Sequence, residues 1–299
     1  MTSLDLDGRG RASQAASNQP DESLRSQPRG ARLFVAAVIA AGLSVLAFWG
    51  PRHVPNPVLF ATLLAASALA SSLRLRVPLG VSSSNLSVSY SVDFAALLLI
   101  GTELTMLVAG VSAWLQSAFG HDHKRNPVWR IVFNAAALVL TVRAAGLAFE
   151  YMAGQPGVLD LSLRGIAKPV GASALVYYLV NTSIIATAVA LANGRPVWWV
   201  WQSNFLWTAP SYYVGAGAAV AASILWQTQQ WWLLPLAVAP VYLTFRSYRM
   251  YVERLQSEQR HNDEVMRLHG DTLTALQAAK KSEKRYELAV DGSNDGIWD

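Results

Sequence analysis

The amino-acid sequence predicts an all-α membrane protein: a bundle of seven to eight transmembrane helices followed by a long cytoplasmic helix. Three observations predict it. Apolar runs recur between Leu33 and Phe245, most of them near the roughly 20 residues that a helix needs to cross about 30 Å of hydrocarbon. Charged residues make up only 14% of the 299-residue chain, against about 25% in soluble domains, and they crowd into its two ends. From Arg246 onward the chain turns to Glu, Gln, Arg, Lys, Leu and Ala with no proline before Val290, a composition that favours helix.

The elements follow in order. Residues 1–30 are rich in Ser, Gly, Arg, Asp and Gln and have no apolar core, so they form a disordered cytoplasmic tail rather than a signal peptide. Spans are expected at 33–49, stopped by Gly50-Pro51, and at 57–73, stopped by Arg74-Leu75-Arg76. Residues 81–92 are polar, β-branched and alternating. Residues 93–101 are apolar but short, Thr102-Glu103 interrupts, and 104–119 is apolar again. This stretch is either one long broken helix or a hairpin of two short helices turning at Gly101. Further spans are expected at 131–149, 170–192, 206–226 and 231–245, with a short interfacial helix at 199–207. The transmembrane bundle thus covers residues 31–246.

Basic residues separate the two possibilities. With the hairpin there are eight crossings and both ends lie inside. The inner segments then hold Arg9, Arg11, Arg25, Arg29, Arg32, Arg74, Arg76, Lys124, Arg125, Arg130, Arg195, Arg246, Arg249 and Arg254, and the outer loops only Arg52, Arg164 and Lys168. The positive-inside rule favours that arrangement. The net charge of +5 is then the signature of an anionic lipid surface and gives no reason to expect nucleic acid. Trp49, Trp129, Trp198, Trp199, Trp201, Trp226, Trp231 and Trp232 fall at span ends, as an aromatic belt requires. The expected location is an inner membrane, with the C-terminus in the cytoplasm.

Polar residues inside the spans are costly and each needs a reason. Arg143 stands near the middle of its span, Asp93 and Glu103 flank the short apolar run, and Asn134 and Asn181 lie within spans. A pairing of Arg143 with Asp93, joined by Asn134 and Asn181, would line an inward pocket for a small ligand. The alternatives are a structural ion pair or an arginine that snorkels to the surface. There is no cysteine, so disulfide and thiol chemistry are excluded. His121 and His123 flank Asp122, but no further histidine has ligand spacing, so no metal and no cofactor are expected. No GxSxG, Walker or HExxH pattern is present, and no catalytic residue is assigned in this chain.

Residues 247–290 form the long helix. Its seam positions at heptad spacing include Val252, Leu255, Met266, Leu273 and Leu276, interleaved with Gln259, Asn262 and His269. A second, rotated stripe runs through Val265, Leu268, Thr272, Ala275 and Ala279. Two weak seams suit a coiled coil that pairs in more than one register, as a parallel homodimer; the alternative is a helix folded back on a following domain.

The end of the chain, KSEKRYELAV followed by DGSNDGIWD (281–299), resembles the opening of a PAS sensor domain. That resemblance implies a helix to Val290, turns at Asp291-Gly292 and Asp295-Gly296, a first strand at Ile297-Trp298, and a domain truncated at 291–299. Residues 87–103 and 126–142 are similar to the multi-helix membrane sensor modules of bacterial signalling proteins. Asp93, Phe94, Arg130, Phe133, Asn134 and Ala135 carry the likeness. Such modules precede PAS, GGDEF, EAL, HD-GYP or histidine-kinase domains. The resemblance implies a sensory input module for an unknown small-molecule or membrane stimulus, with 247–290 as its signalling helix. It also implies a parent protein that turns over cyclic-di-GMP or autophosphorylates a histidine. The short hairpin at 88–119 also looks like the substrate-binding subunits of vitamin importers, so a transporter or solute-binding subunit is the alternative.

Overall fold

The structure, a computed structural model of the chain, describes residues 24, 27–72, 74–79, 82–87, 89–118, 127–153 and 163–294. Residues 1–23, 25 and 26 of the expected tail, the loop carrying His121 and His123, and the expected strand at Ile297-Trp298 lie outside the described residues; Arg29 and Gly30, expected in the tail, already belong to the first helix. The chain divides into two units, Met1–Phe245 and Arg246–Asp299.

Eight helices are described: α1 (Arg29–Trp49), α2 (Pro57–Ser72), α3 (Ser89–Ala118), α4 (Val128–Ala153), α5 (Leu163–Asn193), α6 (Val197–Asn204), α7 (Ala209–Gln227) and α8 (Leu234–Asn294). One antiparallel pair is added to the expected helices: β1 (Arg74–Leu79) and β2 (Ser82–Ser87), in register from Arg74 opposite Ser87 to Leu79 opposite Ser82. The strand signal is the polar, alternating stretch that begins at Val81. α6 is the expected short helix before α7.

Among the described residues four helical stretches are long and apolar enough to cross a membrane: Arg29–Trp49, Ser89–Ser117, Val128–Ala153 and Gly165–Asn193. Pro57–Ser71 is a shorter apolar helix. The first unit has an apolar interior, with Phe94, Met106, Val142 and Phe149 buried, and it also exposes many large apolar side chains. Leu33, Leu43, Phe48, Val58, Leu69 and Leu236 are exposed, while Ser71, Ser112, Thr141, Thr182 and Ser211 are buried. An outer surface with this much exposed apolar side chain suits an apolar solvent. The chain is a helical membrane protein.

α3 is two helices. Gly101, at φ 81° and ψ 173°, has backbone angles open essentially to glycine alone, and the two arms pack as a hairpin. Tyr90 reaches Ser211 near the start of α7, while Leu99 and Ile100 share a cluster with Trp226 at its end; the first arm therefore runs parallel to α7. Thr102 bonds Glu150 near the end of α4, and Ser117 accepts from Asn134 near its start. The second arm is thus antiparallel to α4. α2 lies along both arms, with Leu63 packed near Ala96 and Ser71 hydrogen-bonded to Ser112 at 2.6 Å. At ~1.5 Å per residue the arms at 89–100 and 102–118 are about 18 Å and 26 Å long, each shorter than a ~30 Å hydrocarbon core.

The first unit has a basic end and a far end. Arg130 begins α4, and Arg195 follows α5 with its guanidinium 4.7 Å from the Trp199 ring centroid. Gly30 of α1 lies beside Leu191 of α5 at the same end. The hairpin tip, Trp49, Glu150 and the stacked Trp226–Trp231 pair (5.2 Å, 3°) occupy the other. After Trp231, Leu236, Ala237 and Pro240 face Gly217, Ala218 and Ala221 of α7 across a cleft, and Ala237 and Val241 are buried.

The second unit is helical to Asn294. The helix therefore continues through Asp291-Gly292, where a turn was expected. Met266, Leu273 and Leu276 are exposed, as are Val265 and Leu268. Val252 and Leu255 lie in the helical backbone; their side chains lie outside the described residues. An Arg249–Glu253 bond of 2.8 Å at i, i+4 supports the early turns.

Candidate functional site

The first arm of the hairpin carries Tyr90, Asp93 and Phe94 into the space between α5 and α7. At helical spacing these three share one face, and all are buried, Asp93 at 1% exposure. Gly215 of α7 admits the arm, because a Cβ there would collide with the Tyr90 ring and with Ser91 Oγ. This close approach of small and aromatic residues is what the glycine- and alanine-rich run at 215–222 provides.

Asp93 Oδ2 accepts a hydrogen bond of 2.8 Å from the Tyr177 hydroxyl of α5. Its other oxygen, Oδ1, is buried and has no hydrogen-bond partner among the described residues. The Tyr177 ring packs on Phe94 at 5.0 Å and on Tyr212 at 5.9 Å. Tyr212 stacks on Tyr90 at 4.7 Å and meets Tyr178 edge-on at 5.3 Å. Asn181 donates to the Tyr212 hydroxyl at 3.1 Å. The tyrosines are tied in turn to backbone: Tyr90 donates to Ser211 O at 3.0 Å and Tyr178 to Phe205 O at 3.2 Å. Trp201 of α6 donates to Thr182 Oγ1 at 2.9 Å, which joins the interfacial helix to the same assembly.

No family model, curated protein or solved structure matches this chain. The chemistry of the site therefore rests on its geometry. A carboxyl group removed from water with one oxygen satisfied and one open is costly. It can take up a proton, or accept from a donor or cation that reaches Oδ1. Nothing in the cluster pairs a nucleophile with a base, and among the described residues no group of three or more His, Cys, Asp or Glu could hold a metal ion.

The sequence-predicted residues fall in three places. Asp93 and Asn181 belong to the same cluster, joined through Tyr177 and Tyr212. Arg143 does not pair with Asp93. It turns to the α1 side of α4, where its guanidinium lies 5.6 Å from the Trp49 ring and Nη1 lies 3.9 Å from Glu150 Oε1. Glu150 is two turns along the same helix and also accepts from Thr102 at 2.7 Å. Asn134 donates to Ser117 at 2.9 Å and lines a separate cavity at the basic end. Sequence reasoning missed Tyr90 and the Tyr177–Asp93 bond. The available signal was spacing, since Tyr90 precedes Asp93 by one turn on the same face.

Proposed function

We propose that this chain is the membrane-embedded input module of a bacterial signalling protein. In this proposal the basic end faces the cytoplasm, and α8 relays a stimulus to a following output domain. The observation that carries the reading is α8 itself. Ala237 and Val241 are buried in the first unit, and the helical backbone then runs on to Asn294. A helix rooted in one unit and unbroken beyond it can pass on a rotation or a shift along its axis. Exposed Met266, Leu273 and Leu276 support pairing of two such helices in a homodimer. The likeness of residues 87–103 and 126–142 to membrane sensor modules favours cyclic-di-GMP turnover as the output, with histidine autophosphorylation next.

The same-side return of the hairpin supports eight crossings, counting its two arms, with both ends inside. Arg29, Arg32, Arg130 and Arg195 then lie at the cytoplasmic headgroups.

The test is helical phase. Insertion of seven residues at Gly270 of the full-length protein restores the seam, and insertion of four does not. Expected is regulated output, measured as cyclic-di-GMP or phosphohistidine, that survives the first insertion and is locked on or off by the second. Equal regulation in both would sink the relay.

A second reading has its own support. A helix broken at Gly101, about two turns beyond a buried, half-satisfied carboxylate, is a feature that solute-binding membrane proteins also use. Solute accumulation by cells that is lost in Asp93→Leu and indifferent to both insertions would favour it.

A further inference from the structure

The Asp93 carboxyl has one hydrogen bond and no counter-charge. Oδ2 accepts from Tyr177 at 2.8 Å, and Oδ1 has no partner among the described residues. Neither Ser91 Oγ on the same arm nor Ser173 Oγ, one turn before Tyr177, serves it; both are themselves buried and unpartnered. The titratable groups packed around it are all tyrosines: Tyr90 on its own arm, Tyr177 and Tyr178 on α5, and Tyr212 on α7. α2, α6 and α7 contain no charged residue. On α4, Arg143 turns to Trp49 and Glu150, and Arg130 stands in the first turn over Trp129. On α5, Lys168 is exposed and precedes Tyr177 by more than two turns, and Arg164 lies further from it still. Glu103 on the second arm is exposed. Among the described residues no cation faces Asp93.

The packing decides what completes this carboxyl. Asp93, Phe94 and Tyr177 are each at most 2% exposed, and the rings of Phe94, Tyr177, Tyr212 and Tyr90 follow one another at 4.7–5.9 Å. A solute reaches Oδ1 only by moving a ring, whereas a proton fits as the cluster stands. A proton on Oδ1 removes the charge and leaves Oδ2 as the acceptor for Tyr177. Without it a full charge lies among aromatic rings on a single hydrogen bond, which is costly enough to break the packing. The piece placed to yield is the first arm. It is one of the two short pieces of the bundle, it carries Asp93 itself, and it ends at Gly101, whose backbone angles interrupt the helix. Its seat against α7 is the notch at Gly215, which the Tyr90 ring and Ser91 Oγ occupy.

We propose that Asp93 is a proton-binding site whose proton holds the first arm of the hairpin between α5 and α7. With the proton bound the arm is docked. As pH rises and the proton leaves, the arm withdraws from the Gly215 notch and Oδ1 gains water. The proton is exchanged and no bond to carbon changes. The site goes beyond the input-module reading and does not require the relay through α8.

The experiment uses the full chain in nanodiscs of phosphatidylcholine and two readouts. Infrared difference spectra between acid and alkaline buffer read the proton. Expected is a carboxylic-acid C=O band that disappears as pH rises and is missing from Asp93→Asn. The second readout uses the absence of cysteine from the chain. Ser91→Cys places a single thiol in the Gly215 notch, and a water-soluble maleimide reports its release. At one alkaline pH, alkylation is expected to be about tenfold slower or more when Asp93→Asn is added, because the amide keeps the arm docked without a charge. Comparison at a single pH removes the titration of the thiol itself. A difference spectrum that Asp93→Asn leaves unchanged overturns the proton site. A titrating Asp93 band with equal alkylation in both variants overturns the release of the arm. The infrared measurement needs no change at Ser91, so it decides the proton site even where Ser91→Cys does not fold.

Discussion

Two polar regions of the same bundle differ in one respect. Around Asp93, side chains from the hairpin, α5 and α7 pack closely on one another and leave only one oxygen of the carboxylate open. At the basic end, Arg130, Asn193 and Asn204 line a cavity that none of the described residues fills. The difference teaches how to separate structural from receptive polarity in a membrane interior. Where polar groups close on each other they hold helices in register, and where they surround a cavity they present a surface.

Substitutions in the closed region should therefore cost stability and those in the open region should not. The largest effect is expected from Gly215→Leu, which drives a side chain into Tyr90 and Ser91 where no space exists. A cost of about 3 kcal/mol or more is expected, seen as loss of the monodisperse folded protein in detergent. Gly101→Val follows, at about 2–3 kcal/mol, because a β-branched residue is forced into backbone angles that only glycine holds comfortably; a lowered thermal midpoint reads it. Tyr177→Phe leaves both oxygens of Asp93 unpartnered and should cost about 1–3 kcal/mol. In an Asp93→Leu background the same change should cost less than about 0.5 kcal/mol, and a double-mutant cycle measures that difference. Asn193→Ala, at the rim of the open cavity, should shift the thermal midpoint least, within about 0.5 kcal/mol. Equal losses for Asn193→Ala and Tyr177→Phe would erase the distinction between the regions.

The hairpin is legible in the sequence because its causes are local. Two apolar runs too short to cross alone meet at Gly101-Thr102-Glu103, and the basic residues fall on one side only if the chain turns back there. The spans at α1, α4 and α5 are legible for the same reason, since hydropathy depends on neighbours in sequence. The Asp93 cluster is not local. Its members come from α3, α5 and α7, and nothing in the sequence gives the rotation of one helix against another. Charge complementarity pointed from Arg143 to Asp93, but Arg143 lies on a different face of α4, toward Trp49. Its carboxylate neighbour, Glu150, is seven residues on, a separation of nearly two whole turns that sequence spacing could have supplied. The cavity at Arg130 was out of reach for a different reason: a void is a property of packing, and no residue type encodes it.

The short arms of the hairpin also constrain how the protein is made. An insertion machinery that samples one segment at a time meets, at 89–100 and 102–118, two stretches too brief to be stable on their own in lipid. Their partners Asn134, Tyr177 and Ser211 are all synthesised afterwards. α2, which lies along both arms, is made before them, and the rest of the enclosure comes only with α4, α5 and α7. A ribosome that has passed residue 118 has not yet built the walls that Asp93 will lean on, since Tyr177 and Tyr212 come later in the chain.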